Sequence, residues 1–118
     1  MKIAKIHIKN LLVRTIIGLH PWERTEKQDV IINIDFETDI EGLKDTDNET
    51  DIVNYRTISK DIMHDVESKS FFLLETLTDH VLKMVMSDKR ILSAKVKIDK
   101  PHALRFAESV SVELSSAR

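Results

Sequence analysis

The most regular run in this chain is DVIINIDFETDI, at residues 29–40. Its apolar side chains recur at every second position, at Val30, Ile32, Ile34 and Phe36. Most positions between them carry polar side chains, at Asn33, Asp35 and Glu37. Because successive side chains of a strand point to opposite faces, this alternation predicts a strand with one buried face and one solvated face.

Strands are also predicted on both sides of this run. Residues 6–8 open a strand that resumes through residues 13–17, and residues 18–28 form a long link to the run itself. Long structured loops in compact domains are often functional. Near the other end of the chain, two further segments alternate between apolar and polar residues, and a loop at residues 99–107 separates them. The apolar positions are Leu92, Ala94, Val96 and Ile98 in the first segment and Val110, Val112 and Leu114 in the second.

Two amphipathic helices are predicted between these strands. Asn54 is a suitable N-cap for the first helix, whose apolar stripe comprises Tyr55, Ile58, Ile62 and Val66. The second stripe comprises Leu74, Leu77, Val81 and Val85. The order β-β-α-α-β-β indicates an α+β fold, an antiparallel sheet with two helices on one face. Long strands leave unpaired edges, which favour association, so we expect a homo-oligomer.

Composition excludes several classes of function. The 118 residues suit a single domain spanning residues 1–118. A net charge of −2, from 18 basic and 20 acidic residues, gives no indication of a nucleic-acid partner. No cysteine is present to form a disulfide or a thiolate metal site. The alternating first residues do not resemble a signal peptide, and no segment approaches the ~20 apolar residues of a membrane span. We therefore expect a cytoplasmic protein with no membrane partner.

Metal binding is not expected either. The five histidines lack the spacing of a zinc motif. In the acidic stretch at residues 41–51, Asp45, Asp47 and Glu49 are spaced like the start of an EF-hand. However, Thr50 replaces the required glycine and Arg56 replaces the bidentate glutamate. A solvated connection is the better interpretation of this stretch.

Four short segments carry residues that the fold alone does not require, at residues 21–23, 53–55, 73–75 and 99–102. Each has an ordinary structural interpretation. Glu23 is explained as a solvated loop acid and Glu75 as a first-turn acid favoured by the helix dipole. Tyr55 is explained as a core aromatic residue and Lys100 as a turn residue. Residue chemistry alone favours the structural interpretation of each residue over the functional one.

Taken together, these segments and their neighbours resemble the dihydroneopterin aldolase family, which includes dihydroneopterin triphosphate 2'-epimerase. The stretches that carry the resemblance follow in family order, at residues 15–24, 28–34, 53–57, 72–75 and 98–101. The resemblance implies the tunnelling fold (T-fold), a β-β-α-α-β-β unit. Its subunits form tetrameric barrels, which stack in pairs as octamers.

The resemblance also implies a pterin pocket at the junction of two subunits. Glu75 matches the glutamate that anchors the pterin through two parallel N–H hydrogen bonds. Backbone groups near Leu74 and Val53 would complete the contacts with the ring. Tyr55 matches a tyrosine that enters from the neighbouring subunit.

The implied reaction is a retro-aldol cleavage of 7,8-dihydroneopterin into 6-hydroxymethyl-7,8-dihydropterin and glycolaldehyde. Lys100 matches the catalytic lysine, and Glu23 matches a glutamate beside the substrate side chain that could hold a relay water. Tyr55 is a candidate proton donor to the intermediate. The pterin ring itself accepts the electrons, so no cofactor is expected.

Two parts of the chain resemble different branches of the family. Trp22 and Glu23 are what aldolases carry, and they favour aldolase as the main activity. Residues 102–111 are more similar to the epimerase branch, since many aldolases have a glycine after the proline. The triphosphate 2'-epimerase is therefore the alternative prediction. A non-catalytic binding module, which would release no glycolaldehyde, is a third.

Overall fold

The computed structural model describes residues 1–43, 47 and 52–118. Five strands and two α-helices follow one another in this part of the chain. They are β1 (Ile3–Ile17), β2 (Gln28–Asp39), α1 (Tyr55–Ser68), β3 (Ser70–Phe71), α2 (Leu74–Met86), β4 (Ile91–Pro101) and β5 (Ser109–Ala117). Short 3-10 turns lie at Pro21–Glu23 and Glu41–Leu43.

The five strands form one sheet in the order β3-β1-β2-β4-β5. The predicted α+β fold class, with two helices packed on a mainly antiparallel sheet, is confirmed. The two-residue strand β3 was not predicted; it pairs in parallel with Ile16 and Ile17 at the end of β1. Such a short segment has too few positions to show a strand period.

β1 is a single strand of 15 residues, whereas the sequence predicted two stretches with a break. A bulge joins the stretches, because the register between β1 and β2 shifts between Ile8 and Leu11. Asn10 takes a left-handed φ of 54° at the bulge. The backbone N–H of Asn10 donates a 2.9 Å hydrogen bond to the side chain of Asn33. The extra residue changes which positions face inward, so the buried set beyond the bulge is Val13, Thr15 and Ile17.

The core lies between the helices and one face of the sheet. The predicted inward face of β2 is confirmed, with Val30, Ile32, Ile34 and Phe36 at most 1% exposed. The predicted stripe of α2 is likewise buried, comprising Leu74, Leu77, Val81 and Val85.

Two predicted core positions are wrong. Tyr55 was assigned to the stripe of α1, but it is 56% exposed because it stands in the first turn, beyond the sheet contact made by Ile62 and Val66. Leu92 was assigned to the core face of β4, but Ile91 is the buried residue. An irregularity in the β2–β4 register at this point leaves Leu92 only partly buried.

The start of α1 follows the prediction. The Asn54 side chain accepts hydrogen bonds from the backbone N–H groups of Arg56 and Thr57, at 3.0 and 3.2 Å, as an N-cap does. In the acidic stretch the structure gives the turn Glu41–Leu43, while residues 44–46 and 48–51 lie outside the described residues. Three residues of the EF-hand comparison, Asp45, Glu49 and Thr50, are among these undescribed residues.

In the described ranges, no helix is both long enough and apolar enough to cross a membrane.

Candidate active site

The loop between β1 and β2 folds around the carboxylate of Glu23. Gly18 opens this loop with a φ of +134°, a conformation that side-chain-bearing residues rarely adopt. A Cβ atom at Gly18 would lie 2.2 Å from Cδ of Glu23. Glycine is therefore required at position 18 for two reasons: the backbone has a positive φ, and the Glu23 carboxylate leaves no room for a Cβ atom.

Glu23 forms an ion pair with Lys100, which is 77 positions away in the chain and is the next-to-last residue of β4. Oε2 of Glu23 and Nζ of Lys100 are 2.5 Å apart, and the two side chains are only 11% and 13% exposed. Gln28 Nε2 and the backbone N–H of His20 also donate to this carboxylate, at 3.1 and 3.2 Å.

These contacts decide the charge of the pair. The hydrogen bond from Lys100, supported by those from Gln28 and His20, outweighs the effect of burial and lowers the pKa of Glu23 from 4.5 to about 2. Glu23 is therefore ionised at neutral pH. The site presents a fixed carboxylate and an ammonium group that water reaches poorly.

Arg24 joins this loop to the start of α2. Its Nη1 donates to the backbone oxygens of Gly18 and Phe71, at 3.1 and 2.7 Å. Its guanidinium stacks over the ring of Phe72, 3.9 Å from the centroid. The β3–α2 junction is thereby fixed beside the Glu23 loop.

Leu74 and Glu75 follow that junction directly. Leu74 is buried, while Glu75 is exposed in the first turn of α2. Four predicted site residues thus share one end of the sheet: Glu23, Leu74, Glu75 and Lys100.

The remaining two predicted site residues lie at the opposite end. Val53 is buried, and it lines a cavity of about 460 Å³ together with Tyr55. That cavity also borders Leu92, at the start of β4. Seven residues of strand, at about 3.3 Å each, separate Leu92 from Asp99, so the two groups are roughly 20 Å apart. A single copy of the chain does not bring Tyr55 to Lys100.

Gly18, Arg24 and Gln28 organise the site but were not predicted as site residues from the sequence. A signal was available for Gly18, because it is one of only two glycines in the chain and directly follows a strand. Arg24 and Gln28 act through side-chain contacts with distant backbone atoms, for which no local pattern exists.

Within the described ranges, no cluster of three or more His, Cys, Asp or Glu side chains is arranged to hold a metal ion.

The dihydroneopterin aldolase (FolB) family model matches residues 6–115. The chain belongs to the dihydroneopterin aldolase family. It is 43% identical over 115 residues to the dihydroneopterin triphosphate 2'-epimerase of Pseudomonas aeruginosa, covering 98% of this chain and 94% of the relative. It is 31% identical to the dihydroneopterin aldolase of Haemophilus influenzae, covering 92% of each chain.

A solved structure agrees with this assignment. Dihydroneopterin aldolase of Escherichia coli, in complex with neopterin, superposes with a TM-score of 0.91 at 25% identity, covering 97% of this chain and 99% of the other. The predicted T-fold is therefore confirmed. Both activities, aldolase and epimerase, occur among the relatives of this dihydroneopterin aldolase family member.

Proposed function

We propose that this protein breaks the C1'–C2' bond in the side chain of a 7,8-dihydroneopterin by a retro-aldol reaction. The observation that carries the proposal is the secluded Lys100–Glu23 pair. It lies at the end of the sheet that also exposes Glu75, in a chain whose relatives act on dihydroneopterins. An ammonium group beside a fixed carboxylate suits proton transfer at a neutral substrate.

The reaction needs two proton transfers. The 2'-hydroxyl loses its proton, the C1'–C2' bond breaks, and its electron pair moves into the N5=C6 imine of the pterin. Glycolaldehyde leaves, and the enol-type intermediate takes a proton at C1' to give 6-hydroxymethyl-7,8-dihydropterin. In the resting pair Glu23 is ionised at neutral pH. Lys100 gives its proton to C1' of the intermediate and takes up the proton of the 2'-hydroxyl through a water held by Glu23, so the pair ends in its starting state.

Glu75 is the proposed anchor for the pterin ring. Its carboxylate is exposed in the first turn of α2, next to the junction that Arg24 fixes. A carboxylate can accept two parallel N–H bonds, from the 2-amino group and N3 of the ring. A backbone group at Leu74 would complete the contact. The Escherichia coli relative was solved with neopterin bound, which supports a pterin ligand here.

We further propose that the site is shared between copies of the chain. Tyr55 and Val53 lie roughly 20 Å from Lys100 in one copy, so they complete a site only from a second copy. β1 pairs with β3 over two residues only, and β5 lies at the other edge of the sheet, so two edges are open to a neighbour in the described chain. A homo-oligomer, a tetramer or an octamer, would use both edges.

The second candidate function is 2'-epimerisation of dihydroneopterin triphosphate. The 43% identity to the Pseudomonas aeruginosa epimerase favours it. Epimerisation uses the same bond cleavage, but the aldehyde adds back with the opposite geometry at C2' before it escapes. Aldolase and epimerase therefore differ in the fate of one intermediate and require the same proton-transfer groups.

Product analysis tests the proposal. The purified protein is incubated separately with 7,8-dihydroneopterin and with its triphosphate, and the products are separated. Hydroxymethyldihydropterin, together with glycolaldehyde from the free alcohol or glycolaldehyde triphosphate from the phosphorylated substrate, identifies an aldolase. The 2'-epimer without a released aldehyde identifies an epimerase. If neither substrate changes, the retro-aldol proposal is wrong.

Mixing subunits tests the shared site. Lys100→Ala and Tyr55→Ala should each be nearly inactive, but mixed oligomers should recover activity, since some sites then combine an intact Lys100 with an intact Tyr55. A mixture of Lys100→Ala with Glu23→Ala is the matched control, because both changes damage the same half of the site. Equal activity of the two mixtures would contradict a shared site.

A further inference from the structure

His102, the first residue after β4, has an unusual backbone. Its φ is 63°, in the left-handed region that favours glycine. Non-glycine residues with such a conformation are concentrated at functional sites, where the surroundings hold them in place. The imidazole of His102 is therefore a candidate for a functional role.

The imidazole borders a depression next to the candidate active site. The depression has a volume of about 310 Å³. Its lining includes Glu23 and Gln28, so it is continuous with the Lys100–Glu23 pair. The other lining residues are His20, Trp22, Glu26, Lys27, His102 and Ala103.

Several contacts order the two segments that carry the histidines of this depression. The ring of His20 stacks on Trp22, with centroids 4.5 Å apart and planes nearly parallel. The loop that carries His102 is closed at its base, because Pro101 pairs with Ser109. In addition, Oγ of Ser109 donates a 2.7 Å hydrogen bond to Asp99.

Substrate chemistry indicates what this depression would hold. In a phosphorylated dihydroneopterin the phosphate chain is attached at C3', the carbon next to C2'. If C2' reacts at Lys100, the phosphates have to occupy the adjoining space. The depression offers one ammonium group, from Lys27, and two imidazoles, from His20 and His102. All three can donate hydrogen bonds to phosphate oxygens.

We propose that His102, His20 and Lys27 bind the phosphate chain of the substrate, and that His102 sets a preference for the triphosphate over the free alcohol. This inference rests on the proposed function, since it assumes that the pterin side chain reacts at Lys100. Glu23 and Glu26 both line the depression; the charge of Glu23 is paired with Lys100, whereas the carboxylate of Glu26 opposes an anionic ligand. The three N–H donors should therefore strengthen triphosphate binding, whereas Glu26 should weaken it.

The test compares kcat/KM for the triphosphate with kcat/KM for free dihydroneopterin. Each value is measured from the total of hydroxymethyldihydropterin and 2'-epimer formed. Glycine readily adopts the positive φ of position 102, so the His102→Gly variant should retain the fold. It should lower the preference for the triphosphate by about 10-fold to 100-fold, the range for one lost hydrogen bond to a charged group. Glu26→Gln should raise that preference. His64→Ala, which removes an exposed imidazole on α1, should leave it unchanged.

A direct binding measurement separates this inference from the proposed function. Inorganic tripolyphosphate is titrated into the wild type and into His102→Gly by calorimetry. Weaker binding to the variant supports the phosphate subsite even if neither pterin is turned over, in which case only the proposed function fails. Equal binding, together with an unchanged substrate preference, would overturn the subsite and leave the retro-aldol reaction standing.

Discussion

Replacing Glu23 by glutamine tests whether the charge of its carboxylate stabilises the fold. The carboxylate accepts hydrogen bonds from Lys100, Gln28 and the backbone of His20. Glutamine preserves the size of the side chain but removes its charge. It also leaves the ammonium of Lys100, which is only 13% exposed, without a counter-ion.

The magnitude follows from the lowered pKa. Each pKa unit corresponds to 1.36 kcal/mol, so lowering the pKa of Glu23 from 4.5 to about 2 corresponds to about 3 kcal/mol of folding free energy at pH 7. Because the folded-state pKa is the lower one, this contribution is complete above pH 4.5 and disappears as the pH falls towards 2. Near pH 3 about half of it should remain.

Urea unfolding, followed by circular dichroism, measures this contribution. The wild type and Glu23→Gln are compared at pH 7 and near pH 3, at equal protein concentration because association affects apparent stability. Glu108→Gln, in the exposed loop after β4, is the control and should change stability by less than about 0.5 kcal/mol. If Glu23→Gln were as stable as the wild type at pH 7, the reasoning would be refuted. A destabilisation of equal size at both pH values would show that packing, and not charge, is responsible.

Three further substitutions have distinct expected results. Gly18→Ala should destabilise the fold by about 2 kcal/mol or more, because the added Cβ would collide with Glu23. Gly42→Ala is the control: its Cβ would meet nothing within 4 Å, so it should unfold like the wild type in the same urea titration. Glu75→Ala should weaken pterin binding by roughly 2–5 kcal/mol in calorimetry while the unfolding midpoint hardly changes, and unchanged affinity would exclude the anchor role. Lys100→Ala should slow turnover by roughly two to four orders of magnitude with pterin binding retained; a small, equal fall in rate and affinity would indicate a binding residue only.

Elements with a strong local period could be predicted from the sequence. The alternation in β2 identified its buried face, and the 3.6-residue stripe of α2 identified its core side chains. Asn54 marked the start of α1, because a side chain that accepts from the first free N–H groups acts within one turn. Each of these signals depends on neighbours in the sequence alone.

The bulge and the register shifts could not be predicted in the same way. The bulge in β1 is held by Asn33 of the adjacent strand, which bonds the backbone of Asn10. The inward position of Ile91, in place of Leu92, depends on an irregular pairing between β2 and β4. A one-residue shift exchanges the two faces of a strand, and only the partner strand determines where that shift falls.

The candidate site shows the same division. The sequence by itself identified the segments around Glu23, Tyr55, Glu75 and Lys100, through their resemblance to one family, and it identified the layers that carry them. The tertiary structure alone decided that Glu23 meets Lys100 across 77 positions of the chain, and that Tyr55 lies at the other end of the sheet. The physical reason is that hydrophobic period and helix capping act over a few residues. The meeting of two distant side chains depends instead on strand order, register and loop conformation, which are settled only when the whole sheet has assembled.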